Sequence, residues 1–89
     1  MRLESKEQKL IMEYLRKISY VKKVIVANES GTLDIIGCYR GRFYSIEVKK
    51  RGETPSTLQQ INMKKIREHG GIAFWTDTFD KVKDIFKNL

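Results

Sequence analysis

Residues 31–52 read GTLDIIGCYRGRFYSIEVKKRG, and the fold turns on how they pair. LDIIGCY and FYSIEVKK, both rich in β-branched and aromatic residues, read as two strands joined by an Arg-Gly connection short enough for a hairpin. Strand side chains alternate faces, so Tyr44, Ile46 and Val48 share one face while Ser45, Glu47 and Lys49 share the other. The first set is a plain core face. The second places a carboxylate and an ammonium where a middle strand is expected to be covered, and a buried ion without a partner is costly. Asp34 heads the preceding strand, so a short hairpin brings it beside Glu47 at one end of the sheet.

Working outward, residues 4–18 carry Leu10, Ile11, Tyr14, Leu15 and Ile18 at the spacing of a helical stripe. YVKKVIVA, residues 20–27, reads as a strand, and NESG after it as a turn. Beyond the hairpin, RGETPS breaks the pattern, with Pro55 placed to begin a helix and Thr54 or Ser56 near its cap. That helix runs to about His69 and ends at Gly70-Gly71, where glycine suits the left-handed C-terminal cap. IAFWT is a fourth strand, and TFDKVKDIFKNL a closing helix with Phe79, Val82, Ile85 and Phe86 on one stripe. The expected fold is therefore α/β, in the order αβββαβα. It has a mixed four-stranded sheet flanked by helices, with a C-terminal helix, as a single domain over residues 1–89.

Eighteen Lys and Arg against eleven Asp and Glu give a formal charge of +7, which favours a polyanionic partner. The cations are spread along the chain, as expected for a broad electrostatic face. Arg40, Arg42, Lys50 and Arg51 are the candidates for phosphate contacts. One cysteine excludes an intramolecular disulfide and fits a reducing compartment. The start of the chain lacks the apolar core of a signal peptide, and no apolar run approaches the ~20 residues of a membrane span. The expectation is an intracellular, cytoplasmic protein. Cys38 reads as a small core residue, His69 as a partner of a helix C-terminus, and Phe74 and Trp75 as core or subunit packing residues in preference to base-stacking ones.

Two carboxylates brought together raise each other's pKa unless a cation lies between them. Hard oxygen ligands suit Mg²⁺ or Mn²⁺, which take one or two carboxylates plus waters and substrate phosphate. The plainer alternatives are that Glu47 and Lys49 pair with each other or sit on an exposed sheet face, and that Asp34 is a turn or cap residue. Glu4 and Glu7 both lie at the edge of the first helix's apolar stripe, and either is a candidate further carboxylate.

The stretches ESKEQKLIMEYL, SGTLD, IEVKK, STLQ and HGGIAFW together resemble the VRR-NUC group of the PD-(D/E)XK nuclease superfamily, over essentially the whole chain. One departure is Leu33, where the group usually has proline before the aspartate. The resemblance implies a Mg²⁺- or Mn²⁺-dependent endodeoxyribonuclease. Asp34, Glu47 and the backbone carbonyl of Val48 would hold the metal, with Glu4 touching it directly or through water. Lys49 would orient or activate the attacking water, and Gln59 would steady Lys49 or the phosphate. Stand-alone members resemble junction resolvases, which implies a homodimer acting on branched DNA such as four-way (Holliday) junctions. The small size fits a phage or mobile-element nuclease, working in the host cytoplasm. The competing expectation is a non-catalytic nucleic-acid-binding module or inactive accessory subunit on the same fold.

Overall fold

The computed structural model describes residues 5–89, in the order α1 (Lys6–Ile18), β1 (Tyr20–Lys23), β2 (Ile35–Tyr39), β3 (Arg42–Val48), α2 (Thr57–Glu68), β4 (Ile72–Thr76) and α3 (Phe79–Lys87). The strands form one sheet in the order β1-β2-β3-β4, with β4 parallel to β3 and the other pairs antiparallel. This is the expected mixed sheet with its C-terminal helix.

The hairpin fixes the register. Arg40 and Gly41 both take positive φ, 51° and 81°, as the tightest two-residue hairpin turn requires. Tyr39 then pairs with Arg42, and the ladder runs back to Ile35 opposite Ile46.

The two faces of the sheet carry separate clusters. Ile35, Tyr44, Ile46, Val48, Ile72 and Phe74 face α1 and α3, packing against Ile11, Met12, Leu15, Val82 and Phe86 in the main core. Gly37 lies opposite Tyr44 in that face. A Cβ there would collide with the Tyr44 ring and the Tyr20 carbonyl, so glycine makes room for the tyrosine. The Tyr44 ring meets Phe86 edge-on at 5.0 Å, and its hydroxyl lies 2.7 Å from the Ser19 hydroxyl at the end of α1. The other face is covered by α2 through a smaller cluster of Leu33, Met63 and Ala73.

Each helix start is capped by a side chain: Ser5 accepts from Gln8 N, Ser56 from Gln59 N and Thr78 from Lys81 N. The structure departs from the expected boundaries in four places. The β-branched run 20–27 is a strand only to Lys23. Lys23 pairs with Ile35, the first residue of β2; beyond the Val24 N–H to Asp34 O bond the ladder finds no partner strand among the described residues, and Ile25 and Val26 are exposed. Pro55 does not begin α2 but precedes its cap, buried, while Ser56 supplies the cap. On α1 the buried stripe takes in Gln8 and Met12, whereas Ile18 at the helix end is exposed. Cys38 is exposed rather than a core residue, because it points to the sheet face away from α1 and α3. No helix among the described residues is long and apolar enough to cross a membrane.

Candidate functional site

The β2–β3 register sets the site. Extending Ile35 opposite Ile46 by one step places Asp34 opposite Glu47, where the backbone ladder stops and side chains continue it. The Asp34 N–H donates to Glu47 Oε1 at 3.1 Å, and the Val48 N–H donates to Asp34 Oδ2 at 3.1 Å. Each carboxylate thus holds the backbone of the other's strand. The Lys49 ammonium completes the group, 3.3 Å from Glu47 Oε2.

Gly31 and Leu33 explain why Asp34 arrives there. Gly31 has φ +85°, and a Cβ on it would stand 2.8 Å from Leu58 Cβ and 2.7 Å from Asn62 Nδ2, so the loop lies directly on α2. Leu33 is buried against Met63 and Ala73 beneath that helix. The loop is therefore anchored by burial of a leucine, and the turn needs no proline before Asp34. On β3, Ser45 donates to the Ile35 carbonyl at 3.0 Å, which satisfies the other polar residue on Glu47's face.

The electrostatics are dominated by Glu47, which is 1% exposed. Burial first, and then the nearby Asp34 carboxylate, push its carboxyl above the usual glutamate range, against the opposing pull of Lys49 and the Asp34 N–H. An anion held under such conditions gains from a further positive charge. In extended backbone a residue's N–H and C=O point to the same edge, so the Val48 carbonyl lies on the Asp34 side of β3. Two carboxylates and a carbonyl at one sheet end are hard oxygen donors of the kind a Mg²⁺ or Mn²⁺ ion takes. Among the described residues no group of three or more His, Cys, Asp or Glu gathers as a metal site.

The remaining candidates divide by position. Glu4 lies outside the described residues. Glu7 accepts the Phe79 N–H at 2.6 Å, so its carboxylate ties the start of α1 to the start of α3. Gln59 sits in the first turn of α2, where its side-chain oxygen accepts from Ser56 N at 2.9 Å in a capping box. Lys50 and Arg51 follow Lys49 directly into the exposed turn at the site's end of the sheet. Arg40 and Arg42 lie at the hairpin turn, about 17–20 Å along β2 from Asp34 by the strand rise. There Arg42 Nε donates to the Gly70 carbonyl at 2.8 Å. His69 caps α2, its ring Nδ1 2.8 Å from Lys65 O.

Sequence reasoning ranked packing above base stacking for Trp75. It lies opposite Glu47 in the β3–β4 register and is half-buried, lining a groove beside α2. The available signal was parity: Trp75 shares the sheet face of Ala73, while Phe74 faces the main core.

A solved structure described as a VRR_NUC domain superposes on this one with a TM-score of 0.79, covering 94% of each chain at 24% sequence identity. The fold is that of a VRR_NUC domain. No family model matches the sequence, and neither does any curated protein. The superposition spans nearly all of the αβββαβ arrangement that sets Asp34 against Glu47.

Proposed function

We propose that the protein is a Mg²⁺- or Mn²⁺-dependent DNA endonuclease, selective for branched DNA such as four-way (Holliday) junctions, and working as a homodimer. The observation that carries this reading is the reciprocal lock of Asp34 and Glu47, with the Lys49 ammonium 3.3 Å from Glu47. A fold that needed only to bind a polyanion would gain nothing from two carboxylates facing it. The VRR_NUC fold and the charge of +7 support the same reading.

Asp34, Glu47 and the Val48 carbonyl would hold the metal, which when bound supplies Lewis acidity at the scissile phosphate and lowers the pKa of water. Asp34 is fixed for this by the Val48 N–H and Glu47 by the Asp34 N–H, so neither carboxylate must reorganise as charge develops. Lys49 keeps its ammonium at the same point by pairing with Glu47. From there it can donate to the attacking water or to a phosphate oxygen, whose negative charge grows in the transition state. Lys50 and Arg51 extend positive charge along the DNA backbone away from that point. Glu4 would add a carboxylate from the start of the chain. Gln59 would act through its amide nitrogen, since its oxygen holds the α2 cap. A homodimer would set two such centres on two strands of a branch point. The exposed rung Tyr20–Cys38–Phe43 across β1, β2 and β3 offers apolar surface for that contact.

The test is incubation with labelled four-way junction, flap and linear duplex DNA of equal length, with Mg²⁺, with Mn²⁺ and with EDTA. Cleavage that requires the ion and favours the branched substrates is the expected result. Binding to all three with no cleavage under any ion would replace the enzyme by a non-catalytic DNA-binding module.

A further inference from the structure

We propose that the groove between α2 and β4 is a subsite for one unpaired nucleotide, with the Trp75 indole as the surface on which its base stacks. The groove encloses about 670 Å³, within the size range of small-ligand sites. Its wall toward the sheet is Trp75, half-buried on the face opposite the main core, and its wall toward α2 carries Gln60, Lys64 and Arg67. No acidic side chain lines it among the described residues.

Two cations beside Trp75 are held by backbone carbonyls. Arg67 Nε donates to the Ala73 carbonyl at 2.8 Å. Lys81 Nζ donates to the Trp75 carbonyl at 2.8 Å and stands 5.2 Å from the indole centroid. An aromatic ring with cations beside it is the chemistry that single-stranded nucleic acid uses, with phosphates on the cations and a base on the ring. A paired base in a duplex offers only its edges, so stacking on a side chain selects an unpaired one. The location gives the site its use. Trp75 lies opposite Glu47 in the parallel register and on the same sheet face, one strand spacing of about 4.8 Å away. A nucleotide lodged there would place its neighbouring phosphate toward the carboxylate pair. That use rests on the nuclease reading; the binding does not.

Trp75 is the single tryptophan, so its fluorescence reports the groove directly. Wild type in EDTA at low salt would be titrated with oligothymidylate and with blunt duplex of equal phosphate number, while cleavage in Mn²⁺ is followed separately. Saturable quenching by oligothymidylate, stronger than by duplex and weakened in Lys64→Glu, is the expected result. By anisotropy of labelled oligothymidylate, Trp75→Leu would bind roughly fivefold or more weakly, the low end of stacking one base. Trp75→Phe would retain most of the affinity. Absent quenching, quenching by duplex as strong as by single strand, or equal affinity in Trp75→Leu of native-like circular dichroism would overturn the subsite. Quenching without any cleavage would leave the subsite standing and remove the nuclease reading; cleavage without quenching would do the reverse.

Discussion

At the residue scale, the account depends on Glu47. Its carboxyl is raised above its ordinary value near 4.5 by burial and by Asp34, so its sign in the stability balance is negative at neutral pH. A carboxyl raised on folding leaves the protein more stable below its unfolded pKa, and that stability is lost as pH rises through the folded value. In EDTA at neutral pH, Glu47→Gln should therefore melt at or above the wild-type temperature, since the amide oxygen can still accept from Asp34 N. The gap should close as pH falls to about 4.5. A mutant that melts well below wild type at pH 7 in EDTA would mean that Glu47 is a stabilising structural ion. The same variant should lose cleavage, as expected where a functional group is retained at the expense of stability.

At the scale of elements, Gly37 shows how β2 and β3 are fitted to α1 and α3. Gly37→Ala should lower stability by about 1–3 kcal/mol, the range for overpacking a full core, because the Tyr44 ring occupies the space of the new methyl group. Denaturant unfolding measures this, and a change within error would mean that the ring moves aside without strain. The element order and the pairing of Asp34 with Glu47 were legible in the sequence for a local reason. The Arg-Gly turn allows one register, and that register carries both carboxylates to the same rung. What was not legible depended on distant partners. The β-branched residues Ile25 and Val26 carry strand propensity, yet the strand stops because β2 starts at Ile35. Cys38 has the composition of a core residue, but α2 covers β3 and β4 while leaving its part of β2 exposed. Glu7 looked as suited to the site as Glu4, and only the packing of α3 against α1 shows its carboxylate holding Phe79 N.

At the scale of the whole molecule, a divalent ion bound by the native state alone should stabilise the fold by mass action. Saturating Mn²⁺ should raise the melting temperature of wild type, and Asp34→Asn should abolish the rise. An equal rise in both would place the ion elsewhere. The most direct measurement of the central claim is Mn²⁺-dependent cleavage of labelled DNA by wild type, Asp34→Asn and Lys49→Ala, with DNA affinity measured on the same preparations. The account predicts that both variants bind DNA within a few-fold of wild type and cleave it at least about 10²-fold more slowly, the scale of losing one fixed transition-state contact. Cleavage by Lys49→Ala and Asp34→Asn at the wild-type rate would contradict it.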